Sequence, residues 1–217
     1  MANSSRGRAP TGRYSPSQRS SGAVPEGVRI GLALVDPLAF DQELIEELRH
    51  AGVNATIFVR PSVLILDTER WRFVRAAGHE LGVGSLLGAT DDGRLPNWSC
   101  ATIEGELKEC LKLLVSLGQE EPSAVYLPGR HHRCAEGRYR QRLQQAFPIC
   151  LGETERAASL RGAHGAFDVV SAPAVPRAGA TVVRAHADSE SFRRFLPLVR
   201  QFPVGPLSEL LEQTPHT

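Results

Sequence analysis

The stretch ELIEELRHAGVNATIFV (Glu43–Val59) passes from a helical to a strand-like hydrophobic pattern within a few residues. Leu44, Ile45 and Leu48 share one helical face, Asp41 stands where it can cap the helix, and Gly52 suits the left-handed position just past its end. VNATIFV (Val53–Val59) then reads as a buried strand. Working outward, VRIGLALV (Val28–Val35) is an apolar first strand. Downstream, Thr68 is expected to cap a helix carrying Trp71 and Val74 and closed by Gly78, and HELGVG follows as a third strand.

The alternation continues through TIEGELKECLKLLVSLG, which places Ile103, Leu107, Cys110, Leu111 and Leu114 on one face, and through the strand AVYL (Ala124–Leu127). A helix around EGRYRQRLQQAF, the apolar segments PICL, FDVVS and TVVRA, the helix SESFRRFLPLVRQF, a short PVG and a terminal PLSELLEQ complete the chain. Short apolar runs separated by amphipathic helices are the pattern of βαβ units, so the fold class is α/β with a parallel sheet or barrel. Residues 1–27 carry four arginines against one acid in a Ser/Gly/Pro-rich context, and are expected to form a flexible basic tail ahead of a domain at 28–213.

Composition narrows the function. Hydrophobic residues make up 41% and charged residues 23% of the 217, which is globular. Lys+Arg 25 against Asp+Glu 24 leaves a net charge of +1, too small to favour nucleic acid as a partner. No run reaches the roughly 18 apolar residues of a membrane span, and the N-terminus lacks the apolar core of a signal peptide. As written, the chain is expected to be cytoplasmic; an upstream start carrying a signal peptide would move it to the envelope. Cys100, Cys110, Cys134 and Cys150 show no CxxC spacing and read as reduced, partly buried thiols. There is no phosphate-cradling GxxxxGK[ST] or GxGxxG loop and no GxSxG elbow, so nucleotide and serine-hydrolase chemistry have no support.

Taken in order, ELIEELRHAGVNATIFV, RFVRAAGHELG and the ending TVVRAHADSESFRRFLPLVRQFPVGPLSELLE resemble the polysaccharide deacetylase family, the NodB homology domain, over about Val28 to Glu212. The resemblance implies an irregular parallel (β/α) barrel with its site at the C-terminal strand ends. It also implies hydrolysis of N-acetyl amides on a carbohydrate, with a divalent metal, commonly zinc, held by an Asp and two His beside an Asp base and a late His acid.

Set against those motifs, the aligned residues are mostly of the wrong type. In ALVDP the base position is Val35, while Asp36 falls at the metal-binding Asp. In VGSLLG, Gly84 and Gly88 stand at the two metal-binding histidines, and only Ser85 keeps its type. In YLPGRHH, Leu127 takes the place of an arginine and Pro128 is retained. RAH keeps His186 at the general-acid position. A lone carboxylate does not hold catalytic zinc, so the resemblance implies a deacetylase-like protein without the standard metal centre, serving as a carbohydrate-binding or regulatory module with a carbohydrate ligand or a protein partner and no cofactor. The competing expectation is an active hydrolase of C–N bonds with zinc relocated onto Asp36, His131 or His132, and His186.

Remaining candidates read as structure. His79 and Glu80 sit at the start of the third strand, at the end away from the expected site, and are read as frame. Asp91-Asp92-Gly93 reads as a turn, the basic run Gly129–Arg142 as a solvated face, and His164 with Asp168 as a loop entering a strand.

Overall fold

The computed structural model describes residues 29–35, 37, 39–84, 100–119, 122, 124–127, 147–152, 157–159, 166–171 and 180–212. The chain runs β1 (Arg29–Val35), α1 (Gln42–Ala51), β2 (Thr56–Val59), α2 (Pro61–Leu66), α3 (Thr68–Ala76), β3 (Glu80–Gly84) and α4 (Cys100–Ser116). It continues through β4 (Ala124–Leu127), β5 (Ile149–Gly152), β6 (Ala157–Ser159), β7 (Ala166–Ser171), β8 (Ala180–His186), α5 (Ser189–Val199), β9 (Val204–Gly205) and α6 (Ser208–Glu212). The basic tail and the segment EGRYRQRLQQAF, apart from its last residue Phe147, lie outside the described residues.

The strands form one curled sheet in the order β5-β4-β3-β2-β1-β8-β7-β6, whose outer strands β5 and β6 approach each other. Every pairing is parallel except β6 with β7. β8 occupies one edge of β1 along its whole length. The other edge is shared: β9 takes Ile30 and Gly31 at the lower end, and β2 takes Ala33 and Leu34 above it.

Because side chains alternate along a strand, the sheet divides its apolar residues between two faces. Leu32, Leu34, Ile57, Val59, Leu81, Val83, Val125 and Val183 face outward and pack under the helices, against Leu44, Leu48, Trp71, Leu107, Cys110 and Phe192. Ala33, Val35, Phe58, Ala124, Tyr126, Ile149, Leu151 and Val182 face inward, where Leu207 and Leu210 close the lower end of the half-barrel. The plug needs Gly31, since a Cβ there would lie 2.6 Å from Leu207 Cδ2. Cys110 and Cys150 are buried free thiols.

α1 forms as its sequence suggests: Asp41 Oδ1 accepts the Leu44 N–H at 3.0 Å, and Gly52 ends the helix at φ 65°. The segment after β2 corrects the sequence reading. PSVLIL is itself a helix, α2, with Pro61 at its first turn. Thr68 does not cap α3 but is its first residue, and its hydroxyl donates back to the Leu64 carbonyl at 3.1 Å. Two further strands appear that the pattern left unassigned, β6 and, within PVG, β9.

α1 and α5 lie side by side, and their starting turns are tied by one carboxylate. Asp41 Oδ2 accepts the Ser189 N–H of α5 at 3.0 Å while its other oxygen caps α1. Arg193 donates to Glu47 at 2.9 Å and also pairs with Glu43, but these exposed ion pairs add little. Replacing Asp41 with Ala leaves two helix-start N–H groups without acceptors, a loss of about 1–3 kcal/mol. For a chain of this size the melting midpoint should fall by roughly 3–10 °C. A thermal melt of Asp41→Ala that overlays the wild type would remove Asp41 from this role.

Candidate functional site

In a parallel half-barrel the upper strand ends converge, and chemistry is expected there. Register sets which side chains meet. Val35 pairs with His186 across β1 and β8, Phe58 with Gly82 across β2 and β3, and Gly84 with Tyr126 across β3 and β4; Tyr126 pairs in turn with Leu151. Val35, Phe58, Tyr126 and Leu151 are all buried, and the Phe58 and Tyr126 rings sit 5.7 Å apart between centroids. Among the described residues, apolar groups therefore pack the inner face of β1, β2, β4 and β5, while β8 brings Arg184 and His186 into register with Ala33 and Val35. A carboxylate at position 35 would have to ionise at a position only 2% exposed, which desolvation opposes.

Of the residues expected to carry chemistry, His186 is placed at the end of β8 with its side chain exposed. Asp36, His131 and His132 lie outside the described residues, as do Ser85, Gly88, Pro128 and His164. His186 lines an open groove of about 610 Å³ together with Ala39, Phe40, Asp41, Gln42, Glu43, Ala187 and Asp188. Its two aspartates are already committed. Asp41 accepts from Leu44 and Ser189 N–H groups, and Asp188 accepts the Ser191 N–H at 2.7 Å and the Ser191 hydroxyl at 2.9 Å. Sequence reasoning missed this groove, although the spacing Asp188-Ser-Glu190 ahead of an apolar period is a helix-start signal that places Asp188 beside His186.

The described residues do not fit a three-ligand metal centre. No group of three His, Cys, Asp or Glu able to hold a metal occurs among them. At Gly84 a Cβ would stand 3.0 Å from the carbonyl carbon and oxygen of Val59. Cys110, below that point, is a buried thiol that donates to the Val59 carbonyl at 3.4 Å, and burial pushes its pKa up to about 12.

His79 and Glu80 lie at the opposite end, at the start of β3, and both are buried. His79 Nδ1 accepts the Ala55 N–H at 3.3 Å, which fixes a neutral ring with its proton on Nε2. Glu80 accepts the Thr56 hydroxyl at 2.5 Å and the Ser208 N–H at 3.3 Å, while Leu207 N–H donates to Thr56 Oγ1 at 2.8 Å. This clasp fastens the plugging segment to β2 and β3.

Neither a protein-family model nor a curated protein matches the sequence. Solved structures do match the backbone. Peptidoglycan deacetylase PdaC from Bacillus subtilis aligns at TM-score 0.59 and 12% identity, over 87% of this chain and 92% of that one. A family 4 acetyl xylan esterase from Clostridium thermocellum, in complex with a cobalt ion, aligns at TM-score 0.57 and 14% identity, over 86% and 93%. A mutant of BA3943, described as a CE4 family pseudoenzyme with restored enzymatic activity, aligns at TM-score 0.50 and 13% identity, over 86% and 68%. The fold is thus that of the NodB-like polysaccharide deacetylases.

The buried imidazole has a consequence for stability. Burial holds the His79 pKa below its ordinary 6.5, so the unfolded chain takes up a proton near that pH and the folded chain does not. Stability is then complete above about pH 6.5 and falls as the pH drops through the interval between the unfolded and folded pKa values, by at most ~1.4 kcal/mol per pH unit. Denaturant melts at pH 7.5 and 5.5 should show the wild type losing more stability than His79→Asn, which keeps a neutral acceptor. Equal losses in the two proteins would sink this assignment.

Proposed function

We propose that this chain is a deacetylase-like domain without the standard metal centre, acting as a non-catalytic carbohydrate-binding module at its strand-end groove. The observation that carries the reading is the pair Val35–His186: the general-acid equivalent, exposed at the end of β8, is in register with a buried aliphatic side chain where the fold's enzymes would need a base. An acid without a base or a metal-bound water has no nucleophile to deliver to an amide. The described pseudoenzyme BA3943 gives a precedent for this fold without activity.

The groove supplies what binding needs. Its volume of about 610 Å³ falls within the usual range for small-ligand sites. Gln42 and His186 offer hydrogen-bonding groups at its wall, and Phe40 offers a ring steadied by a T-shaped contact with Trp71 at 5.5 Å. Sugar hydroxyls and the apolar face of a pyranose match that mixture of groups.

The competing reading is an active C–N hydrolase with zinc on Asp36, His131 or His132, and His186, and one set of measurements separates the two. Purified chain should contain no stoichiometric zinc, and should release no acetate from N-acetyl chitooligosaccharides or peptidoglycan fragments. NMR titration with chitotetraose should shift resonances around the groove in the wild type and lose those shifts in Phe40→Ala. One zinc per chain, lost in His186→Ala and accompanied by acetate release, would establish the hydrolase instead.

A further inference from the structure

We infer that the position of the first metal-binding histidine has been closed by main-chain packing, so that Gly84 is a required contact between β2 and β3 and not simply a missing side chain. The inference deepens the non-catalytic reading and takes its functional meaning from it.

Three observations converge on this point. A Cβ at Gly84 would lie 3.0 Å from both the carbonyl carbon and the oxygen of Val59, and 3.2 Å from the carbonyl carbon of Phe58. These are main-chain atoms of a strand paired to β3 through Phe58↔Gly82 and Val59↔Val83, so they do not swing aside as a side chain does. Gly31, Gly78, Gly82 and Gly205 are also crowded, but by side-chain atoms of Leu207, Asn54, Phe58 and Glu209.

The carbonyl is also held from the helix side. The buried Cys110 thiol donates to Val59 O at 3.4 Å. Val59 and Val83 are fully buried in the outer core on either side of this contact. A side chain at position 84 therefore requires the β2 main chain to give by a few tenths of an ångström against its pairing with β3 and its bond from Cys110. Restoring histidine there does not by itself restore a ligand.

The test uses the full chain and three substitutions. Gly84→Ala should lower the melting midpoint by roughly 5 °C or more, as overpacking does. Gly105→Ala, in α4 where a Cβ meets nothing, should raise it by roughly 2–4 °C. The double variant Gly84→His with Gly88→His should take up no stoichiometric zinc and gain no thermal stability from added zinc.

A Gly84→Ala midpoint within about 1 °C of wild type, or one zinc per chain in the histidine variant, overturns the inference. If Gly84→Ala has no cooperative melt, combining it with Cys110→Ala decides, because the smaller side chain gives the Val59 carbonyl room. Recovery of a melt supports the closure, and no recovery overturns it. Zinc in the wild-type chain would instead defeat the non-catalytic reading while leaving the Gly84→Ala comparison intact.

Discussion

The parallel pairing of β1 with β8 is the constraint on which the rest of this structure depends. Seven residue pairs run without a break from Arg29↔Ala180 to Val35↔His186, joining the first strand to the last long one. Closing so large a loop is costly in chain entropy, and the closure is reinforced where it ends. Immediately above it Asp41 reaches across 148 residues of sequence to the start of α5. Immediately below it β9 and the Leu207–Leu210 plug occupy the remaining edge and interior of β1. The same pairing decides the chemistry, because it sets Val35 and His186 side by side on the inner face.

Most of the frame was legible in the sequence where a periodic pattern and a chemical punctuation mark coincided. α1 carried both an apolar period and an Asp/Gly pair of end signals, and it forms between Gln42 and Ala51 as read. α2 carried neither, because six residues of PSVLIL give less than two turns and no polar face to reveal a period. β6 and β9, with three and two residues, are too short to show alternation at all and exist through their partners. Thr68 illustrates competition between neighbours: the chain turns at Asp67, and the hydroxyl that reads as a cap bonds backward to Leu64.

The site was legible only in its substitutions. Val35 and Gly84 are ordinary strand residues until a family pattern is laid over them, and no local signal distinguishes a lost ligand from a core position. Glu80 shows the converse. Its local sequence, His-Glu before a strand, resembles an acid/base pair, yet its partners Thr56 and Ser208 come from distant parts of the chain and make it a clasp. A carboxylate that accepts a hydroxyl and a backbone N–H in a buried position is held by its surroundings and is not available to a substrate.

An active site keeps polar groups poorly packed and partly unsatisfied because catalysis uses them, and that arrangement opposes stability. Here the layer around position 35 packs as a core, with Phe58 against Tyr126 and Val35 within the same cluster. In the groove, Asp41 and Asp188 spend both oxygens on helix starts and Glu43 accepts from Ser189 and Arg193, so on the proposed binding reading recognition would fall to Gln42, His186 and the Phe40 ring. Those residues lie at the end of β8 and around the start of α1, which the β1–β8 pairing brings together, so the groove is a product of the fold itself.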